Sequence, residues 1–298
     1  MTDGGLMPPS ICLRGVKAFV WLLKLSPNAN PVYCDHLSTQ RLVSTSSMNA
    51  NKLTIDVAMG TDRGMVREHN EDAVGGDPAK GLLILADGMG GANAGEVASE
   101  LAIDMLVSQL ANESSPESKL GSETLLEVLR GVNQAILEIS QQVPEYRGMG
   151  TTLVVGLFRE GRLTYAHVGD SRLYRLRDDV LERLTTDHTL IQEIVNAGDF
   201  ASLEEAVLAG VPQNVLTRAF GVDPEVAVDL ADTELKPGDL YLFCSDGLTG
   251  MMTDNAMHSI LGDPSMELTK MVDQLIRQAC DLGGLDNISV ILARVVEI

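Results

Sequence analysis

The stretch LLILADGMGGANAGEVASELAIDML (residues 82–106) drives an apolar run into Asp87, crosses a glycine-rich loop and continues as a helix. How that loop is read decides the fold. A dinucleotide fingerprint would make this the first turn of a doubly wound parallel sheet. That pattern needs a third glycine at position 93, where Asn93 stands, and the acid expected some 20 residues on falls inside the helix. The alternative is that Asp87 is itself the functional group. Glycine after it lets the main chain fold close enough for a carbonyl to reach the same ligand.

The same arrangement recurs. A strand-like run meets an aspartate in a small-residue turn at LLILADG (Asp87), TYAHVGDS (Asp170) and LYLFCSDG (Asp246). It appears reversed at GGLDNISVIL (Asp286), and a further acidic pair, Glu71 and Asp72, follows VREHN. Each alone reads as an ordinary Asp turn. Together, strand ends on facing sheets can bring several carboxylates into one cleft, where they repel strongly unless a cation is present. An all-oxygen set of this kind suits Mg²⁺ or Mn²⁺ rather than zinc.

Around these sites the chain reads as runs of adjacent strands with helices grouped about them. LTIDVAMGTD, TTLVVGLFRE, GRLTYAHVGD, SRLYRLRDD, VAVDLADTEL, DLYLFCSD and NISVILARVVEI read as strands, and REGR (159–162) as a hairpin turn. Residues 94–110 place Val97, Leu101 and Met105 on one helical face, and 123–142 and 264–282 read as further helices. A helical insertion lies between Thr185 and Gly221. Strict βαβ alternation is missing, so the expectation is an α+β domain of antiparallel sheets.

Composition narrows the function. The net charge of −20 excludes nucleic acid and anionic membranes as main partners. Residues 1–48 carry a net of +2 and residues 49–298 a net of −22, which points to an N-terminal extension, or a start at Met48, ahead of a domain at 49–298. The apolar run AFVWLL (18–23) is too short to span a bilayer. Cys12, Cys34, Cys244 and Cys280 form no CxxC pair, and a reducing cytoplasm is expected. Cys244 reads as a buried strand thiol. No cysteine opens a C-x₅-R phosphate loop, and there is no DxDxT signature, P-loop lysine, serine elbow or EF-hand.

In order along residues 52–296, VREHNEDA, ADGMGGANAGEVAS, GMGTTL, HVGDSRLYRL, LTTDHT, LTRAFG, GDLYLFCSDGLTGM and GGLDNISVIL resemble the motif set of the bacterial-type PP2C (PPM) serine/threonine phosphatases. The resemblance implies a four-layer α-β-β-α sandwich with metals in a cleft at one end. It implies hydrolysis of phosphoserine and phosphothreonine in proteins, opposite a separate serine/threonine kinase, by a monomer.

Carried over by position, Asp87 is the carboxylate bridging two metals (Mn²⁺ or Mg²⁺), and Gly88 supplies the carbonyl ligand beside it. Asp246 and Asp286 complete the second metal, and Asp170 holds a third, weaker one. Glu71 and Asp72 orient metal-bound waters, and Arg67 grips the substrate phosphate. Residues 185–221 correspond to the family's flap. Met89 and Ala92 stand where many relatives carry a histidine, so the source of the leaving-group proton is open. Alternatives are a phosphatase-like scaffold that binds phosphoproteins, which lost acids would favour, and a phosphatase of small molecules.

Overall fold

In the computed structural model the described residues are 42–43, 53–91, 94–112 and 122–297. The extension expected at 1–48, apart from Leu42–Val43, lies outside them, as do AFVWLL, Cys12, Cys34 and Ala92.

The strands, in chain order, are β1 (Leu42–Val43), β2 (Leu53–Asp62), β3 (Asp72–Asp77), β4 (Leu82–Met89), β5 (Gly150–Thr151) and β6 (Leu153–Arg159). They continue with β7 (Arg162–Val168), β8 (Arg172–Arg177), β9 (Val180–Arg183), β10 (Asp229–Glu234), β11 (Leu240–Cys244) and β12 (Ile288–Glu297). The α-helices are α1 (Ala94–Asn112), α2 (Ser122–Gln142), α3 (Leu190–Asn196), α4 (Leu203–Leu208), α5 (Asp246–Thr249), α6 (Asp254–Leu261) and α7 (Leu268–Asp281).

One sheet runs β1-β2-β12-β11-β8-β9 and the other β10-β7-β6-β4-β3, with β5 paired to β4. Every pairing among these strands is antiparallel. The sheets pack face to face. Ile55, Val57 and Met59 of β2 and Tyr241 and Phe243 of β11 share one buried core with Leu83, Leu85, Val154 and Phe158 of the opposite sheet. Phe158 meets Tyr241 edge-on with ring centres 5.5 Å apart. Gly156 leaves room for Phe243, since a Cβ there would come within 2.5 Å of its ring.

The alternate residues of the first sheet face helices. Leu240, Leu242 and Cys244 of β11, and Ile288, Val290 and Leu292 of β12, pack with Leu248, Met257, Met271, Leu275 and Ile276 of α5–α7. Burial on both faces explains why these strands are continuous apolar runs. On the far side α1 packs against β3, β4 and α2. Because α1 is covered from several directions, Ala98, Ala102, Ile103, Leu106 and Val107 are buried as well as Leu101 and Met105. The layers are helix, sheet, sheet, helix.

The REGR turn forms between β6 and β7 with Glu160 at φ 50° and Gly161 at φ 72°, the left-handed pair of a tight hairpin. Among the described residues the elements that go beyond the sequence reading include β3, β9 and α6. The expected helix at 264–282 begins at Leu268. In the insertion, Thr189 and Ser202 cap α3 and α4 by accepting from the Gln192 and Glu205 amides. The Leu190 N–H donates to the Val215 carbonyl and the Thr217 N–H to the His188 carbonyl, closing the insertion at its base.

Candidate active site

Antiparallel pairing puts the acids at one end of the sandwich. Asp72 opens β3 directly opposite Asp87 near the end of β4. Asp246 opens α5 just past the end of β11, and Asp286 lies two residues before β12, whose start pairs with the end of β11. Asp170 lies two residues beyond β7. The loop from β2 to β3 crosses between the sheets at this end and carries Arg67 and Glu71.

The backbone at Asp87 is gripped from three directions. Its N–H donates to Thr152 Oγ1 (3.1 Å), and its carbonyl accepts from the Thr152 N–H (2.8 Å) and Thr151 Oγ1 (3.0 Å). The Gly88 N–H donates to the Glu71 carbonyl at 3.0 Å. A Cβ on Gly88 would lie 2.1 Å from the Gly95 carbonyl oxygen and 2.5 Å from that of Glu71, so only glycine fits.

The electrostatics follow from the crowding. Loss of solvation, then repulsion from Asp72, Asp246, Asp170 and Asp286, holds the Asp87 carboxyl well above the usual carboxylate range. Burial and repulsion from Asp246 and Asp286 push Asp72 up to about 7. Burial, then Asp246 and Asp187, does the same to Asp170. Asp246 is also raised, by burial and then by Asp286.

Among the described residues neither oxygen of buried Asp72 has a hydrogen-bond partner: the nearby Ser245 hydroxyl donates to the Asn287 carbonyl and that of Ser289 bonds Thr61. Stranded carboxylate oxygens among other carboxylates are costly unless something positive joins them. The donors are all oxygen and fit a hard divalent cation with its waters. A cleft of about 380 Å³ joins Asp170, Asp246 and Asp286 to Leu203 and Val207 of the insertion and to Met251 and Leu285.

Arg67 is exposed, and its Nη2 meets Asp286 Oδ2 at 2.6 Å. The Glu71 carboxyl is half-buried and raised by loss of solvation, while Arg67 and the Gly95 N–H at the start of α1 act in the opposite direction. Asn287 escaped the sequence reading, although it stands beside Asp286. Its Oδ1 accepts from the Glu71 N–H at 2.8 Å, and its Nδ2 donates to the Arg63 and His69 carbonyls, both at 2.9 Å. One side chain thus holds both ends of the loop bearing Arg67. Thr152 and Ser99 were also missed. Ser99 Oγ donates to the Glu71 carbonyl at 2.6 Å. Met89, half-buried beside Gly150, has no proton to give.

His167, His188 and Asp229 each bring one ligand atom within 4.8 Å of the others, a spacing consistent with a divalent ion. The rings of His167 and His188 are stacked, however, 4.6 Å apart and 18° from parallel. Two nearly parallel imidazoles cannot both aim in-plane lone pairs at one ion about 2 Å away. Arg218 already supplies a positive charge there, 2.9 Å from Asp229 Oδ1.

Among the described residues no helix is long and apolar enough to cross a membrane. Cys244 is buried and its thiol pushed up to about 12 by burial.

The family model for Protein phosphatase 2C matches residues 59–279. A serine/threonine phosphatase, stp, of Listeria innocua is 37% identical over 236 residues, covering 78% of this chain and 92% of that protein. The crystal structure of the Mycobacterium tuberculosis serine/threonine phosphatase PstP/Ppp superposes with a TM-score of 0.72 at 39% identity, covering 82% of this chain and 99% of that one. The catalytic domain of PstP in complex with two manganese ions gives a TM-score of 0.70 at 38% identity, covering 82% of this chain and all of that one.

Proposed function

The chain belongs to the protein phosphatase 2C family, and on that premise we propose that it hydrolyses phosphoserine and phosphothreonine in proteins at the carboxylate cluster, opposing a separate serine/threonine kinase. Asp87, the Gly88 carbonyl, Asp246 and Asp286 would hold two Mn²⁺ or Mg²⁺ ions, with Asp170 holding a third more weakly. The manganese pair bound by the related PstP domain supports that count. Bound divalent ions supply charge neutralisation and an acidified water at neutral pH.

The protein's own residues do the rest. Arg67 offers a guanidinium fork to the phosphate oxygens, and its present bond to Asp286 keeps that fork at the cleft. Glu71 and Asp72 act as acceptors that orient water, and among the described residues nothing else engages either oxygen of Asp72 in a hydrogen bond. Thr151 and Thr152 keep the Asp87 backbone from shifting as charge develops. The loop around Met89 offers no histidine to protonate the leaving oxygen. A scaffold without activity would have lost acids from this set, and all of them are present.

The observation that carries the reading is the convergence of Asp72, Asp87, Asp246 and Asp286 from two facing sheets, with both Asp72 oxygens unpartnered among the described residues. The test is turnover of phosphothreonine peptides with Mn²⁺ or Mg²⁺, alongside Asp246→Asn. Activity should require the metal and fall by on the order of a hundredfold or more in the variant. Metal-independent turnover, or an unaffected variant, would overturn the reading.

A further inference from the structure

His188 and the glycine before Asp170 hold each other at two points. The His188 N–H donates to the Gly169 carbonyl at 3.0 Å, and the Gly169 N–H donates to His188 Nδ1 at 3.1 Å. Nδ1 is therefore the unprotonated nitrogen, and the ring proton sits on Nε2. That nitrogen lies 3.5 Å from Asp229 Oδ2 on β10 and 3.2 Å from Arg218 Nη1, a donor-only group whose proton goes to Asp229 Oδ1. Asp229 in turn accepts from Arg218 at the other end of the insertion. The His188 ring is buried and stacked on His167, whose Nε2–H donates to the Thr186 carbonyl at 2.9 Å. Each ring thus has its tautomer set by the backbone it touches.

Gly169 is held from the opposite side as well. It adopts φ +102°, and a Cβ there would come within 2.7 Å of the Thr152 side chain. Thr152 is the residue that grips Asp87 through its backbone. The peptide carrying Asp170 is therefore wedged between the anchor of Asp87 and the ring of His188.

We propose that His188 is a positioning residue: by clamping Gly169 it sets the place of the Asp170 carboxylate relative to Asp87 and fastens both ends of the flap, residues 185–221, to the active site. This rests on Asp170 being a site carboxylate, as read above. The clamp itself exists without any ion.

Asparagine and glutamine separate the two contacts of the ring. Asn at 188 places an acceptor where Nδ1 stands and keeps the Gly169 bond. Gln places its amide where Nε2 stands and keeps only the Asp229 contact. The experiment compares wild type, His188→Asn, His188→Gln and Asp170→Asn by amide hydrogen exchange in metal-free protein, Mn²⁺ titration calorimetry and phosphopeptide turnover.

Gly169 protection should fall about tenfold or more in His188→Gln and stay within about threefold of wild type in His188→Asn. Weak Mn²⁺ uptake should follow the same order, with His188→Gln resembling Asp170→Asn. Equal behaviour of the Asn and Gln variants, or unchanged Gly169 exchange in His188→Gln, would overturn the clamp. So would stoichiometric Zn²⁺ binding by wild type that is lost in His167→Ala, since the cluster would then be an ion site. The expected exchange pattern in a protein that hydrolyses no phosphopeptide would support the clamp and overturn the phosphatase reading.

Discussion

Asp72 and Asp87 stand directly opposite each other in the β3–β4 ladder, where like charges are destabilising. An arrangement so unfavourable by itself implies a stabilising partner, and its removal has a definite sign. Asp72 and Asp170 titrate near 7 in the metal-free fold, because burial and neighbouring acids oppose ionisation. In the unfolded chain an aspartate titrates near about 4. The native state therefore holds protons that the unfolded chain has released between these values. Stability from this source is full below about pH 4 and is lost as pH rises through about 7. In chelator, the melting temperature should be lower at pH 8 than at pH 5.5 by on the order of 5 °C, and Mn²⁺ should restore it. Scanning calorimetry checks this, and a flat profile in chelator would show that the acids are not crowded. Gly88 gives a second residue-scale expectation. Gly88→Ala drives a Cβ to 2.1 Å from a backbone carbonyl, whereas among the described residues nothing lies within 4 Å of one at Gly91. Gly88→Ala should weaken Mn²⁺ binding at least about tenfold in calorimetry, and Gly91→Ala should leave it unchanged.

The elements differ in how openly the sequence announces them. β2 is bounded as the run LTIDVAMGTD suggests, and β12 as NISVILARVVEI suggests, because both carry apolar residues on two buried faces. β3 was hidden. DAVGGD has two glycines and no alternation, and it is a strand because β4 pairs with it along its length. β9 is a four-residue edge strand of mixed exposure, below what periodicity can detect. The acids were legible because each sits where a strand ends. Asn287 and His188 were not, since each acts on the backbone of a distant segment and leaves no local pattern. The flap shows the same long-range logic in an ion pair. Arg172 on β8 donates to Asp187 from Nε at 2.9 Å and from Nη2 at 2.7 Å, and its Nη1 donates to the Tyr174 hydroxyl. Asp187→Ala leaves that guanidinium partly buried and unpaired. It should cost about 3 kcal/mol in denaturant unfolding. With the start of the flap released, KM should rise more for phosphopeptides than for an aryl phosphate. An equal rise for both would place the effect of the pair on the phosphate site that both substrates share rather than on the peptide.

At the scale of the molecule, the runs implied an α+β domain of antiparallel sheets and the family resemblance implied its layer order, but neither carried the strand order. β2 pairs with β12 across almost the whole chain, a register that no local signal encodes. Charge is the whole-molecule property that was visible from the start, and it bears on substrate choice. Residues 49–298 carry a net of −22, so the domain presents a negative field around its cleft. Ions at the carboxylate cluster would neutralise the centre but not the periphery, and Arg67 is already paired with Asp286. A phosphothreonine flanked by aspartates must approach against this field, while one flanked by lysines is drawn in. The effect acts over about 10 Å at 0.1 M salt and shrinks to about 3 Å at 1 M. At low ionic strength, kcat/KM should favour a lysine-flanked peptide over an aspartate-flanked one by on the order of tenfold. Added salt should slow the first, speed the second and bring the ratio toward unity. Steady-state assays of the two peptides across a salt series at fixed Mn²⁺ decide the matter. A preference that does not move with salt would mean that contacts inside the cleft, rather than the field of the whole domain, select the substrate.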